Sequence, residues 1–200
     1  ESYTKIKQFI PSKKNDKIRV LLLPSTHFEH GIWTKTQRDF VITGIIQKLL
    51  ENKTHLELTI KIHPSSSNLL DYESLIHPID QSIQIHQTGE VLDFLNDADV
   101  VISFWYGTAE VYSILAKKPL IFCNFFNATH DDILQRGLAL ECKNVSSLVE
   151  SIDKVFLSNP ASEQKRDKFI HESLGQWDGK ASERISNAIM SLLEKSSNTN

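Results

Sequence analysis

The stretch from Asp97 to Glu110 holds the residues best placed to do chemistry. An apolar run, Val100-Val101-Ile102, passes through Ser103 and Phe104 into Gly107-Thr108-Ala109-Glu110. Gly107 lets a ligand's backbone or phosphate approach closely. Thr108 is positioned to cap a helix, which leaves unpaired N–H groups at its first turn, and such a helix end attracts a diphosphate. Glu110 falls in that first turn, where the helix dipole favours its carboxylate, and two ribose hydroxyls are natural donors to it. The same residues also describe an ordinary capped helix. A second candidate is His63-Pro64, directly after the alternating run Leu56 to Ile62. Pro64 fixes the exit and holds His63 extended, so its ring can donate to a phosphate oxygen over the sheet edge; a solvated turn histidine fits the same residues.

Other groups carry weaker chemistry. Ser25-Thr26-His27-Phe28-Glu29-His30-Gly31 follows an apolar run that Pro24 stops. His27 and His30 are three apart, as zinc ligands can be, but no third ligand stands at a sensible spacing, so polar contacts are expected there and no metal. His130-Asp131-Asp132 reads as a helix cap. The chain contains no GxSxG, no P-loop and no GxGxxG.

The elements that must position these residues alternate. Strands are expected at Ile18–Leu23, Leu56–Ile62, Ser82–His86, Val100–Phe104, Leu120–Asn124 and Ala139–Cys142. Helices are expected at Lys35–Asn52, Leu69–Ile76, Glu90–Asn96 (with Thr88-Gly89 as its cap), Thr108–Ala116, Val145–Leu157, Ala161–Glu172 and Ala181–Lys195. Alternation with short connections predicts an α/β, Rossmann-like three-layer domain, its parallel β-sheet flanked by helices. Ligands of such sheets sit outside the carboxyl ends of the strands, where all the candidates above fall. Residues 1–16 read as a linker or lead-in, 17–195 as the domain and 196–200 as a polar tail.

Composition excludes several classes. The 200 residues are 40% hydrophobic and 24% charged, ordinary globular usage, and a chain of this length buries about 70% of its unfolded surface. Net charge is −3, from 22 basic and 25 acidic residues, so the basic footprint of a nucleic-acid binder is missing. No apolar run approaches the ~20 residues of a membrane helix. Cys123 and Cys142, the only cysteines, lie in apolar runs and are expected to be reduced core thiols of a cytoplasmic protein. The chain opens on Glu1 without a signal peptide or an initiator Met, so a piece of something longer is expected.

Taken in order, Lys61-Ile62-His63-Pro64, Asp93 to Ser103, Gly107-Thr108-Ala109-Glu110, Lys118-Pro119-Leu120-Ile121 and Asp178 to Ile185 resemble the carboxy-terminal half of GT-B-fold glycosyltransferases. The wider group includes UDP-N-acetylglucosamine 2-epimerase and the CDP-glycerol glycerophosphotransferases. The resemblance spans roughly residues 17–195. It implies one half of a GT-B fold that binds a nucleotide sugar, a diphosphate or monophosphate donor, without cofactor or metal. His63, Gly107 and Thr108 would face the donor's phosphates and Glu110 its ribose. Ser103 belongs to the same stretch. The loop with Ser25, Thr26 and His27 would lie near the phosphates and the interdomain cleft, and the one with Thr88 would meet the nucleobase. Implied partners are an N-terminal Rossmann-like domain absent from this chain, which would supply most of the general base, and an acceptor glycan or lipid-linked acceptor, with peripheral association with a membrane. The chain departs from the epimerases, which carry Ser-Gly-Gly and paired glutamates where it has Tyr106-Gly107-Thr108 and Glu110 alone. It also lacks the Ser-Ser of the glycerophosphotransferases. Trp105 and Tyr106 could stack on a base or acceptor, or fill a core. A UDP-sugar 2-epimerase-like enzyme and a non-catalytic α/β binding module are the alternative readings. A receiver-like module lacks the acids it needs after the first and third strands.

Overall fold

A computed structural model describes residues 17–24, 26–51, 56–65, 68–104, 107–125, 132–157, 162–176 and 178–197. Ser25, Trp105, Tyr106, His130 and Asp131 lie outside these residues. Six strands form one sheet: β1 (Ile18–Leu23), β2 (Leu56–Lys61), β3 (Gln84–His86), β4 (Val100–Ser103), β5 (Leu120–Cys123) and β6 (Leu140–Cys142). Their order is β3-β2-β1-β4-β5-β6, and every neighbouring pair is parallel. This is the expected architecture. Its consequence is a switch point between β1 and β4, where successive connections leave in opposite directions.

Between the strands run α1 (Lys35–Leu50), α2 (Leu69–Ile76), α3 (Val91–Asp97), α4 (Thr108–Leu115), the short α5 (Asp132–Gln135) and α6 (Leu148–Leu157). Helix α1 begins at a reciprocal cap. The Thr34 hydroxyl accepts from the Gln37 amide at 3.2 Å, and the Gln37 carboxamide oxygen accepts from the Thr34 amide at 2.8 Å. Its inner face buries Val41, Ile42, Ile45, Ile46 and Leu49 in the core formed with Val20, Leu22, Ile60 and Ile102. Phe40, which the helical spacing groups with that face, is 70% exposed. The expected helix from Val145 opens as a 3₁₀ turn (Val145–Ser147) before α6. Helix α3 is capped at Glu90 rather than at Thr88 or Gly89.

The edge of the sheet opposite the carboxyl ends is pinned electrostatically. Arg19 at the start of β1 donates its backbone amide, Nε and Nη2 to the buried Asp99 carboxylate just before β4, at 2.9, 3.1 and 2.9 Å. Burial works to raise the Asp99 pKa, but the side-chain and backbone hydrogen bonds from Arg19, with the charges of Arg19 and Lys118, hold it below the usual carboxylate range. Lys118, itself buried, donates to the Asn96 and Ala98 carbonyls at 3.2 and 2.8 Å. These bonds fix β1 beside β4, and with them the spacing of the two loops that leave their far ends.

The chain divides into two compact units, Glu1–Ser162 and Glu163–Asn200. The second holds α7 (Glu163–Leu174) and α8 (Ala181–Ser197). Asp178 sets the start of α8, accepting from the Lys180 amide at 3.0 Å and from Arg184 Nη1 at 2.8 Å. Ile185, Ile189, Leu192 and Leu193 recur at helical spacing on α8, and each is more than half exposed. No helix among the described residues is long and apolar enough to cross a membrane.

Candidate functional site

At the carboxyl edge of β1, β2, β3 and β4 the chain encloses a cleft of about 810 Å³. Each of these four strands contributes its last residue or the residues that follow it. Leu23, Pro24 and Thr26 come from β1, and Lys61 to Pro64 from β2. Thr88 to Val91 follow β3, and Gly107 to Glu110 follow β4. The cleft lies where the strand order reverses, as the physics of open parallel sheets requires.

The turn into α4 departs from expectation in a useful way. Gly107, not Thr108, is the N-cap, and Thr108 is the first helical residue, exposed to solvent. The Gly107 backbone is extended (φ −151°), which any residue can adopt, so a glycine is not demanded by its dihedrals. Space is the constraint: a Cβ there would lie 3.3 Å from Glu110 Oε2. That carboxylate oxygen accepts the Gly107 amide at 2.8 Å, and the Glu110 residue is 6% exposed. The Gly107 N–H is therefore already paired, and the amides that α4 leaves outside its own ladder begin at Thr108. Glu110 lines the cleft as a buried, partly committed carboxylate. An ionised carboxylate has about four acceptor positions, and the Gly107 amide takes one of them.

His63 is exposed at the opposite wall. Its Nδ1 faces the Ser65 amide at 3.3 Å, an acceptor role that puts the proton of the neutral ring on Nε2. Lys61, which sequence reasoning did not single out, forms part of the floor. It is 6% exposed, and its ammonium donates to the Ile62 and Gln87 carbonyls, both at 2.9 Å. Burial pushes its pKa down, and the Glu90 carboxylate opposes that shift. Among the described lining residues it is the single fixed cation, set against the carboxylates of Glu90 and Glu110.

The structure thus brings together Thr26, His63, Thr88, Gly107, Thr108 and Glu110. It separates two other expected site residues from them. His27 is 3% exposed, its ring stacked on Trp33 with centroids 4.6 Å apart, and it does not line the cleft. Trp33 meets Phe104 edge-on and Phe104 meets Phe125 likewise, so the loop after β1 closes over an aromatic cluster. Burial, then the charge of His30, lowers the His27 pKa to about 4. Ser103 is fully buried at the end of β4, between Leu23 and Phe122 in register, and its Oγ has no hydrogen-bond partner among the described residues.

No protein-family model and no curated protein sequence matches the chain. Solved structures do. The Staphylococcus aureus MnaA–UDP co-structure matches with a TM-score of 0.58 at 17% identity, over 95% of this chain and 50% of its own. The calicheamicin glycosyltransferase CalG4 matches with a TM-score of 0.61 at 15% identity, over 94% of this chain and 44% of its own. The Methanocaldococcus jannaschii UDP-GlcNAc 2-epimerase, in complex with UDP-GlcNAc and UDP, matches with a TM-score of 0.52 at 17% identity, over 80% and 46%. The fold is the α/β Rossmann-like fold found in one half of GT-B glycosyltransferases and of UDP-GlcNAc 2-epimerase. The chain spans about half the length of these structures.

Proposed function

We propose that this chain is the nucleotide-sugar-binding half of a glycosyltransferase, which moves a sugar or related group from a nucleotide donor to an acceptor hydroxyl without a metal. The observation that carries the reading is the cleft at the switch point, where the first turn of α4, with Glu110 on it, and His63 converge from separate strands. In it, the Thr108 and Ala109 amides and the His63 Nε2–H take the donor's phosphates, and Glu110 accepts from the ribose. Charge builds on the diphosphate as the glycosidic bond to it breaks, and fixed donors aimed at those oxygens stabilise that charge. Ser103 and His27 act beneath this site as packing, and Thr88 borders the nucleobase.

A second Rossmann-like domain, amino-terminal to this one, completes the enzyme and carries the general base. One observation supports such a partner: the solved structures are about twice as long as this chain. The acceptor is a glycan or a lipid-linked acceptor, reached by peripheral association with a membrane in the cytoplasm. Fold likeness to a UDP-GlcNAc 2-epimerase keeps a 2-epimerase as the second reading.

The test is a thermal-shift screen of the chain with UDP, TDP, CDP, CMP, GDP and their sugars. A ligand at a hundred times its Kd adds about 2.7 kcal/mol, a rise of roughly 5–10 °C for a protein of this size. A rise with one nucleotide and its sugars supports the reading, and 2-epimerisation of that sugar by the longer protein selects the second one. No rise with any of them overturns both.

A further inference from the structure

The loops after β2 and β3 are laced to one another, and one side chain ties the lacing to the cleft floor. The Ile62 amide donates to the His86 carbonyl at 2.9 Å, the bond that closes the β2–β3 ladder at Lys61↔His86. The Gln87 carboxamide donates to the Pro64 carbonyl at 3.1 Å. Beneath them, the Lys61 ammonium bridges the Ile62 and Gln87 carbonyls. It lies 5.9 Å from the ring centroid of Phe94 in α3. A lysine with its charge buried is held there by its acceptors, and these acceptors are main-chain carbonyls of the two loops.

The peptide between Gln87 and Thr88 is trans, as are all those described. Its carbonyl and its N–H therefore point in opposite directions. Turning the Gln87 carbonyl onto Lys61 fixes the Thr88 N–H pointing away from Lys61. The next residue, Gly89, has φ +90°, a conformation glycine accepts readily, and a Cβ there would lie 3.1 Å from the Phe94 ring. The course of residues 87–89 is thus set at one end by Lys61 and at the other by a glycine packed on Phe94. Thr88 and Gly89 both line the cleft.

We infer that Lys61 is a positioning residue: by holding the Gln87 carbonyl it fixes the main chain of residues 87–89, and with it recognition of the nucleoside rather than of the phosphates. This rests on the nucleotide reading of the cleft. It makes a specific division of labour. The His63 ring and the first amides of α4 hold the phosphates. The strapped loop holds the nucleoside, and Lys61 touches neither.

Lys61→Met keeps most of the length and the apolar stem of the side chain while removing all three donors. Two measurements on the intact chain test the inference. The first needs no ligand: nitrogen-15 relaxation of the backbone amides of residues 87–89, which reads their motion whether or not they are hydrogen-bonded. Their order parameters are expected to fall from about 0.85 toward 0.6 in Lys61→Met, and those of β1 and β4 are expected to stay as in the parent, which also shows that the variant folds. The second is titration with UDP and with inorganic pyrophosphate. Lys61→Met is expected to lose about tenfold or more in UDP affinity and to keep its pyrophosphate affinity. Lys61→Arg, still a cation, is expected to restore part of the loop order. Unchanged order parameters at residues 87–89 overturn the inference, as does an equal loss for UDP and pyrophosphate, which would make Lys61 a phosphate cation. If the parent binds no nucleotide, the function proposed above fails, and the relaxation measurement still decides whether Lys61 fixes the loop.

Discussion

Glu110→Ala perturbs two things that the geometry predicts can be measured apart. The side chain accepts the Gly107 amide at 2.8 Å from a site only 6% exposed, so its removal leaves a helix-capping donor unpaired. A cap of this kind is worth about 1 kcal/mol, and a hydrogen bond to a charged group about 1.5–3 kcal/mol. Taking about 2 kcal/mol, the melting temperature should fall by roughly 4–8 °C, at 2–4 °C per kcal/mol for a domain of this size. The same carboxylate is proposed to hold the ribose, so nucleotide affinity should fall about tenfold or more, equivalent to 1.4 kcal/mol or above. Glu110→Gln separates the effects. Its amide oxygen still accepts from Gly107, so less than half of the melting loss is expected, while the weaker acceptor still costs affinity. Thermal melts and calorimetric titrations with the nucleotide selected by the screen read both quantities. Melting of Glu110→Ala together with the parent would refute the capping argument. Parental affinity in both variants would refute the ribose role.

Two further outcomes concern stability against pH. His27 has a folded pKa of about 4 against an ordinary 6.5. Between those values the unfolded chain binds the proton and the folded one does not. Stability should therefore be full above pH 6.5 and drain by about 3 kcal/mol as pH falls to 4. His27→Phe, which keeps a ring against Trp33, should flatten that slope in urea denaturation; an unaltered slope would show that His27 does not cause it. Asp99, held below the usual carboxylate range, contributes stability that is full above that range and is lost as pH falls through its depressed pKa. Asp99→Asn should cost about 1–2 kcal/mol at neutral pH, the weakening of charge-assisted bonds to a half-exposed Arg19, and a stability equal to the parent's would show that those bonds contribute nothing.

The sheet was legible because its strands are apolar runs with abrupt stops, at Pro24 after β1 and at His63-Pro64 after β2. The switch-point position of the site followed from the alternation of elements. What the residues hid was which side chains a neighbouring element would cover. In β2 the polar positions Glu57, Thr59 and Lys61 share one face, and the alternation reads them all as exposed. Only the carboxyl end of that face is covered, with Phe94 of α3 over it, and Lys61 is buried while Glu57 stays in solvent. His27 reads as a loop polar residue until Trp33 folds back on it. Glu110 reads as a free first-turn acid, because nothing in the spacing says that its own cap residue is a glycine whose amide it will take. Phe40 errs the other way, an apolar residue that the spacing puts inside and the helix turns out.

The central claim is that a nucleoside diphosphate binds over the start of α4. A titration followed by backbone amide resonances of the labelled chain tests it residue by residue, with the nucleotide that gives the largest thermal shift. Saturable shifts are expected at Thr26, His63, Thr88, Thr108 and Ala109, all of which line the cleft, and none at Arg19 or Asp99 on the opposite edge of the sheet. Saturable shifts centred elsewhere, with the amides of Thr108 and Ala109 unmoved, would contradict it.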